Sequence, residues 1–277
     1  MKVAYSGIEG SFASIAGEKI FPMDEMVPCR SFKEAYERVE RGECDVAVLP
    51  IENSYAGEVG LVTDLMYEGS LMVDGIYPLR VSQNLLGVQG STINDIKKVI
   101  SHPQALEQCM DYLDAHGILT EQATNTAEAA LGVSKLADKS IGAVASRKTA
   151  GLYGLTVLEA DINKDEMNTT RFAVFRRYDE NRKLPGKYDT FIMLFTVRHE
   201  AGALAKAIGV IGDHGLNMKV IRSRRIKGVR WQYFFYTEIE GRLSTPEGRD
   251  MIEDMKQYCE SVRLVGSYYA GEGIIEE

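Results

Sequence analysis

The sequence predicts an α/β protein that ends in a small module with the element order βαββαβ. Two observations predict this fold class. Over roughly the first 155 residues, short apolar runs typical of buried strands alternate with amphipathic helical patterns, which favours mostly parallel sheets. After a charged linker at residues 178–187 that contains Pro-Gly, about 85 residues have the element order of a ferredoxin-like unit. A chain of 277 residues is long enough for two or three such domains.

In the first region, the predicted elements have clear starts and stops. A helix at residues 31–41 opens on a capping Ser31, and Gly42 ends it. An apolar run at residues 44–49 has the pattern of a buried strand, and Pro50 stops it. The predicted strands are 2–5, 44–49, 81–88, 97–100, 141–145 and 172–177, and the predicted helices are 11–16, 31–41, 103–113, 127–136 and 148–152.

In the second region, the apolar pattern predicts four strands and two helices. Their order along the chain gives the βαββαβ module. The predicted strands are 190–197, 218–225, 231–239 and 263–269, and the predicted helices are 202–213 and 245–262.

Composition and charge narrow the function classes. The net charge of −8, from 32 basic and 40 acidic residues, argues against a general affinity for nucleic acid or for an anionic membrane. The first residues read directly into a strand and lack the apolar stretch of a signal peptide. The four scattered cysteines show no metal-ligand spacing. We therefore expect a cytoplasmic protein with reduced thiols, no metal site, and no nucleic-acid or membrane partner.

Four segments of the first region share one layout, in which a strand is followed by a sharp turn, polar residues and a helix start. Such a layout leaves free backbone N–H groups beside hydroxyls or amides, which suits a carboxylate or a phosphate. Taken singly, each segment also fits a plain helix cap. Together they predict a site for a small anionic ligand. The segments are residues 5–12, 49–57, 101–106 and 124–128.

Residues 168–172, with the sequence Asn-Thr-Thr-Arg-Phe, are the strongest candidate for the chemistry. They place an amide, two hydroxyls and a guanidinium where a polar loop becomes a strand, which presents polar groups on a rigid support. A polar strand entry whose side chains only cap backbone groups is the alternative.

Other motifs exclude common chemistries. Residues 7–10 (Gly-Ile-Glu-Gly) lack the third glycine of a dinucleotide fingerprint and the Gly-Lys-Ser/Thr ending of a P-loop. No Ser-His-Asp set can be placed in the sequence. His102 suits an acid or base by its ordinary pKa, and a structural role at a helix start is equally consistent with its position.

At these segments the chain resembles the monofunctional prephenate dehydratases that carry a C-terminal ACT domain. The resemblance covers nearly the whole chain and depends on several short motifs in the right order. The motifs lie at residues 10–12, 50–54 with Gly57, 102–106 with 108–109, 153–155, 168 with 170–172, 202–204 and 266–268.

The resemblance implies a three-part α/β fold. Residues 1–180 would form a two-lobed catalytic region like the type II periplasmic-binding fold, with lobe 1 at about 1–77 and 158–180 and lobe 2 at about 78–157. Residues 188–277 would form the ACT domain. A homodimer or homotetramer is expected, because ACT domains usually pair their sheets.

The resemblance also implies a reaction without a cofactor, in which prephenate loses its ring carboxylate and its 4-hydroxyl to give phenylpyruvate, CO2 and water. Thr170 would engage the leaving hydroxyl. Glu52 would either supply a proton, if its pKa is raised, or serve as a structural carboxylate. Arg171 would be a substrate counter-ion or a brace for the loop. The implied catalytic residues are Thr170, Asn53, Gln104 and Glu52, and the implied substrate-binding residues are Ser11, Ser54, Ser101, Thr169, Arg171 and Phe172.

For the ACT part, the resemblance implies an allosteric site for phenylalanine at Gly202, Ala203, Leu204 and Ser223. The sequence departs from the family here, since residues 222–225 read Arg-Ser-Arg-Arg instead of Glu-Ser-Arg-Pro. This reversal of charge predicts weak phenylalanine binding, another ligand, or a role in assembly only. An exposed basic strand end is the simpler interpretation.

Two further departures lie in the catalytic part. Ser11 stands where the family usually has threonine, and Gln83 stands where it often has histidine. Arogenate dehydratase, whose substrate carries an amine in place of the keto group, is an alternative that the sequence leaves open. A non-catalytic sensor of small acids is the alternative from another class. A prephenate decarboxylase that keeps the hydroxyl is disfavoured by Thr170.

Overall fold

The computed structural model describes residues 1–164, 167–181 and 188–276. Of the predicted linker at 178–187, residues 182–187 lie outside the described residues. The strands are β1 Lys2–Ser6, β2 Glu25–Cys29, β3 Val46–Asn53, β4 Gly57–Glu58, β5 Met72–Arg80, β6 Asn84–Gly87, β7 Lys98–Ser101, β8 Leu119–Gln122, β9 Ile141–Ala145, β10 Thr156–Glu159, β11 Thr169–Arg176, β12 Thr190–Thr196, β13 Asn217–Arg225, β14 Tyr233–Glu240 and β15 Ser261–Tyr268.

The helices cover the faces of these strands. They are α1 Phe12–Ile20, α2 Phe32–Glu40, α3 Gly60–Glu68, α4 Pro103–Gln108, α5 Met110–Ala115, α6 Thr126–Leu136, α7 Arg147–Tyr153, α8 Ala203–Asp213 and α9 Pro246–Tyr258, with a 3-10 turn at Ile93–Asp95. In these described parts of the chain, no helix combines the length and apolar character that a membrane crossing requires.

The strands form two sheets. The larger has the order β13-β14-β12-β15-β5-β11-β3-β1-β2, with β4 paired to β3, and the smaller has the order β10-β6-β9-β7-β8. The smaller sheet is inserted in the chain between β5 and β11, which are neighbours in the larger sheet. A cleft between the two sheets therefore lies at the ends of β3 and β11.

The expectation of mostly parallel sheets is wrong for this chain, because both sheets are mixed. In the larger sheet, β1 is parallel to β2 and β3, whereas β11 is antiparallel to β3 and β5. The reversed strand is the one that brings the chain back from the smaller sheet. In the smaller sheet, β7 is parallel to β8 and β9, and β6 is antiparallel to β9 and β10.

The C-terminal part has the predicted element order βαββαβ, with its strands in the antiparallel order β13-β14-β12-β15. It continues the larger sheet, since Gly266 of β15 pairs with Val73 of β5. Gly266 has a φ of +146°, and a Cβ at this position would collide with the Val73 carbonyl. Only glycine allows the two strands to meet so closely.

One hydrophobic core spans the junction between the N-terminal and C-terminal parts. It joins side chains of α2, α3 and β3 to side chains of β12 and β14, including Tyr36, Met66, Leu49, Leu194 and Tyr236. A separate core under α8 and α9 covers the other face of the C-terminal strands. The larger sheet therefore packs as one body rather than as two loosely linked domains.

Several elements differ from the predicted ones. The predicted helix 103–113 is two short helices that meet at Cys109, and the predicted helix 245–262 ends at Tyr258 so that Ser261 can start β15. Sequence analysis also missed α3 and five strands, namely β2, β4, β5, β8 and β10. β2 lies at the sheet edge, contains Pro28, and is only partly buried, so its apolar pattern is weak.

Candidate active site

A cavity of about 400 Å³ lies between the two sheets, and all four segments with the shared layout contribute to it. The cavity is therefore the place where the predicted ligand-binding turns converge. The residues that line it are Ser11, Phe12, Ala13, Phe32, Pro50, Asn53, Ala56, Gly57, Glu58, Val59, Val81, Gln83, His102, Gln104, Ala105, Gln108, Asn125, Thr126, Thr170 and Phe172.

Two helices present their N-termini to this cavity. Ser11 caps α1, where its Oγ accepts a hydrogen bond from the backbone N–H of Ser14 at 3.3 Å. Asn125 caps α6, where its Oδ1 accepts from the backbone N–H of Glu128 at 2.8 Å. The positive ends of both helix dipoles favour a negatively charged ligand group in the cavity.

Thr170 and Asn53 face each other across two neighbouring strands. They are paired in the register of β11 and β3, and the Asn53 Nδ2 group donates to Thr170 Oγ1 at 3.0 Å. The threonine oxygen thus accepts a hydrogen bond from a residue that is 5% exposed. A hydroxyl has one proton of its own, and no described residue accepts the Thr170 proton, so this proton can be donated to a ligand in the cavity.

The orientation of the Asn53 amide is set by its other partners. Its Oδ1 accepts from the backbone N–H groups of Tyr55 and Ala56 at 3.0 and 2.9 Å and from Gln104 Nε2 at 3.1 Å. Because three donors fix the position of Asn53 Oδ1, the Nδ2 group of the same amide is directed toward Thr170. The Gln104 contact also ties a helix of the smaller sheet to a strand of the larger one.

Asn168 is a further hydrogen-bond partner of the Asn53 amide, although sequence analysis gave it no role of its own. It is 1% exposed, and its Oδ1 accepts from Asn53 Nδ2 at 2.8 Å. Its Nδ2 donates to the Val81 carbonyl and to Gln108 Oε1. Thr170, Asn53, Asn168 and Gln108 therefore form one chain of amide and hydroxyl hydrogen bonds.

Two amides at the cavity have unused hydrogen-bonding atoms. Among the described residues, Gln83 Oε1 and Gln108 Nε2 are buried and have no hydrogen-bond partner. A buried polar atom without a partner is costly, so these atoms mark where a ligand would be bound. Sequence analysis noted Gln83 only as a departure from the family that the chain resembles and missed the role of Gln108.

His102 lines the cavity and caps α4. Its Nδ1 accepts from the backbone N–H of Gln104 at 3.3 Å. Burial lowers the pKa of the His102 imidazole below its ordinary value. The ring is consequently neutral near pH 7 and serves α4 as a hydrogen-bond acceptor.

Three of the predicted substrate-binding residues lie close to the cavity but do not line it. Ser101 is fully buried, and its Oγ donates to the Val144 carbonyl at 2.5 Å. Ser54 Oγ accepts from the backbone N–H of Thr169 at 3.0 Å, and Thr169 Oγ1 donates to the Met167 carbonyl. These hydroxyls join strands and loops of the protein to one another.

Arg171 and Glu52 lie on the opposite face of the larger sheet from the cavity, although both were predicted to act at the substrate. Side chains alternate between the faces of a strand, so the neighbours of Thr170 and Asn53 point away from them. Arg171 Nη1 donates to Glu52 at 2.8 Å, and its Nη2 donates to Glu238 at 2.8 Å. This placement leaves Glu52 out of reach as a direct proton donor to a ligand in the cavity.

The predicted allosteric residues belong to two elements of the C-terminal part. Gly202 precedes α8 with a φ of +81°, Ala203 and Leu204 open that helix, and Ser223 is exposed on β13. The arginines on either side of Ser223 point to the N-terminal part. Arg222 pairs with Glu52, and Arg224 pairs with Asp64 at 2.6 Å.

The described residues contain no group of three or more metal-ligating side chains. All four cysteines are free thiols, and burial raises the pKa of the Cys29 and Cys259 thiols to about 11. These thiols are protonated near pH 7 and are poor nucleophiles.

Known proteins with a similar sequence or fold carry three different descriptions. A family model for prephenate dehydratase matches residues 3–180. Arogenate dehydratase 2 of Petunia hybrida is 35% identical over 290 residues, which cover 99% of this chain and 73% of that protein. Prephenate dehydratase from Arthrobacter aurescens, solved in complex with L-Phe, superposes with a TM-score of 0.89 at 25% identity, covering 97% of this chain and 90% of that one. A structure described as a novel type of quorum quenching acylase superposes with a TM-score of 0.90 at 30% identity and 98% coverage of both chains.

Proposed function

This chain belongs to the prephenate dehydratase family, and we propose that it converts prephenate to phenylpyruvate, CO2 and water in phenylalanine biosynthesis. The observation that carries the proposal is the Thr170 hydroxyl. It is held by Asn53 at 3.0 Å, none of the described residues accepts its proton, and it lies at a cavity that faces two helix N-termini. Such a cavity suits a substrate with two carboxylates and a hydroxyl leaving group.

The proposed reaction is a decarboxylating 1,4-elimination. The bond between the ring and its carboxylate breaks, its electron pair completes the aromatic ring, and the C4–O bond breaks to release hydroxide. One proton, drawn ultimately from solvent, converts this hydroxide to water. Because aromatisation drives the reaction, the protein needs mainly to orient the substrate and to assist the leaving group.

In this scheme Thr170 donates a hydrogen bond or relays a proton to the leaving oxygen, because a threonine is too weak an acid to act alone. Asn53 and Gln104 fix its geometry. The N-termini of α1 and α6 hold carboxylates, and Phe172, 2% exposed, supplies an apolar wall against the ring.

The fold supports the domain division that the family resemblance implies. We propose a type II periplasmic-binding-like region, with lobe 1 at about 1–77 and 158–180 and lobe 2 at about 78–157, followed by an ACT domain at 188–277. The free edge of β13 in the described sheet is consistent with pairing of ACT sheets in a homodimer or homotetramer. The free cysteines are consistent with a cytoplasmic protein.

Arogenate is the second candidate substrate, because two cavity residues favour a cation. Gln83 Oε1 is an acceptor without a partner among the described residues, and the Glu58 carboxylate at the cavity wall has only a long ion pair, at 3.7 Å, with Arg224 in the same described set. Both would suit the ammonium group of arogenate. Gln108 Nε2, an unpaired donor in the same described set, would instead suit the keto oxygen of prephenate.

Turnover assays separate these functions. Purified protein incubated with prephenate at neutral pH should form phenylpyruvate, measured by its enolate absorbance in alkali, far above the spontaneous background. The same assay with arogenate, read as phenylalanine, gives the ratio of kcat/KM for the two substrates. No turnover of either substrate by the folded protein would rule out the dehydratase and leave a non-catalytic sensor of small acids.

We further propose that phenylalanine binds the ACT domain. The reversed charge at Arg222 argued for weak binding, but the Glu52 carboxylate neutralises this arginine within the chain. The L-Phe complex of the Arthrobacter aurescens protein supports phenylalanine as the ligand. Isothermal titration of the full chain with L-phenylalanine should show saturable heat and a matching loss of turnover. The absence of heat at millimolar phenylalanine would leave this domain a role in assembly or another ligand.

A further inference from the structure

We infer that Glu238, a residue of the C-terminal part, is a positioning residue for Thr170 and Asn53 and acts through Arg171 and Glu52. This inference rests on the proposed dehydratase function and extends it to residues outside the cavity. An ion cluster lies on the opposite face of the larger sheet, directly behind the two cavity residues. We call Arg171, Glu52, Glu238 and Arg222 the rear ion cluster.

The rear ion cluster bridges the two parts of the chain. Arg171 Nη1 and Nη2 donate to the two oxygens of Glu238 at 3.0 and 2.8 Å, and Nη1 also donates to Glu52. Arg222 of β13 completes the cluster by donating to Glu52. Two guanidiniums and two carboxylates therefore balance one another.

Glu238 is held more tightly than the other members. Its carboxylate is 1% exposed and accepts hydrogen bonds from the Tyr236 and Tyr268 hydroxyls as well as from Arg171. Burial alone would raise the pKa of Glu238, but the hydrogen bonds and charge of Arg171 outweigh burial and lower it. Glu238 is thus a fixed anion that locates the Arg171 guanidinium.

The rear ion cluster holds together the strand positions next to Thr170 and Asn53. Arg171 pairs with Glu52 in the register of β11 and β3, and Thr170 pairs with Asn53 one position further along. Between Arg171 and Phe172 the register shifts at an irregularity, so the backbone ladder is interrupted at this point. The ion pairs on the rear face supply a second constraint where backbone pairing is weakest. Loss of this constraint would change the distance between Asn53 and Thr170 without removing either residue.

Glu238→Gln tests the inference, because it keeps the shape of the side chain and removes its charge. In the full-length protein, we expect kcat for prephenate to fall on the order of 10- to 100-fold while KM changes less than about threefold, as for a catalytic group displaced by a fraction of an ångström. Glu240→Gln is the matched control. Glu240 lies two residues further along β14 and is exposed, and its described partners, Asn217 and Lys219, belong to the same domain.

A double-mutant cycle distinguishes positioning from general damage. If Glu238 acts through Arg171, the double variant Glu238→Gln/Arg171→Gln should be no slower than the slower single variant. If Glu238→Gln fails to fold, Tyr268→Phe removes one hydroxyl from the same carboxylate and should lower kcat by about three- to tenfold. If Glu238→Gln does not fold, a wild-type kcat in Tyr268→Phe would overturn the inference.

The remaining outcomes are also decisive. Wild-type kcat in a folded Glu238→Gln, a loss confined to KM, or multiplied effects in the double variant would overturn the inference alone. Absence of wild-type turnover with both prephenate and arogenate would overturn the proposed function, and this inference with it.

Discussion

Thr170→Ala is expected to lower kcat for prephenate by about 100- to 10,000-fold, the range typical of losing a positioned proton donor. Thr170 Oγ1 accepts from Asn53 Nδ2 at 3.0 Å, so its own proton is the one available to the leaving hydroxyl. The fold should remain intact, because the substitution removes two small atoms at a partly exposed position. Steady-state assays of phenylpyruvate formation measure kcat, and circular dichroism of the same samples measures whether the fold is intact.

Two further variants give this prediction its controls. Thr170→Ser keeps the hydroxyl and should recover most of the turnover, within about tenfold of wild type. Thr156→Ala removes a hydroxyl from an exposed position on β10 and should leave kcat unchanged. Near-normal turnover in a folded Thr170→Ala would remove Thr170 from its proposed role.

The convergence of the four turn segments could be predicted from the sequence, because each is a local pattern of strand, turn, polar residue and helix start. Parallel strands bring such turns to one edge of a sheet, as β1 and β3 do in the larger sheet and β7 and β8 do in the smaller one. The element order of the C-terminal part was predictable for the same reason, since its strands and helices have strong and regular apolar periods. Ser11, Asn53, Gln104, Thr170 and Phe172 accordingly lie at the cavity.

The face on which Arg171 and Glu52 lie could not be predicted from the sequence. Strand alternation predicts that neighbours point to opposite faces, but it does not say which face borders the cavity. The register irregularity between Arg171 and Phe172 adds a shift of one residue that no local pattern shows. The roles of Gln83 and Gln108 were missed because a buried amide is recognisable as a ligand site only once its lack of a partner among the described residues is seen.

The junction between the two parts of the chain connects the C-terminal part directly to the strands that carry Asn53 and Thr170. β15 continues the sheet through Gly266 and Val73, and the shared core and the rear ion cluster lie on the same side of that junction. A ligand that shifts β13 or β14 would therefore move Arg222 or Glu238 against the residues behind Asn53 and Thr170. The proposed regulation through the C-terminal part needs no separate relay, because Glu238 and Arg222 contact Arg171 of β11 and Glu52 of β3 directly.

Asn53→Asp is expected to abolish turnover about as severely as Thr170→Ala, by about 100-fold or more, while disturbing the fold less than Asn53→Ala. Aspartate keeps an oxygen for the Tyr55 and Ala56 N–H groups and for Gln104, which Asn53 Oδ1 accepts from in the native chain. It replaces the Nδ2 donor with a second oxygen, so Thr170 would donate its proton to the new carboxylate rather than to the ligand.

The pH dependence separates this mechanism from simple loss of structure. Burial raises the pKa of a carboxyl group, and below that pKa the protonated form of the introduced aspartate could again donate to Thr170 Oγ1. Turnover of Asn53→Asp should therefore recover partly as the pH falls, whereas Asn53→Ala should show no such recovery. Wild-type turnover in Asn53→Asp at neutral pH would show that the Thr170 proton does not depend on the Asn53 donor.

The stability of the same variants reports on the buried amide chain independently of turnover. Asn53→Ala should lose about 2–4 kcal/mol of unfolding free energy in urea titrations, because it strands buried partners such as Asn168 Oδ1. Asn217→Ala, at an exposed amide bonded to Glu240, should change the unfolding free energy by less than about 0.5 kcal/mol. Equal stability of Asn53→Ala and Asn217→Ala would mean that the Asn53 amide does not hold the two strands at Thr170, and its effect on turnover would then have to come from contact with the ligand itself.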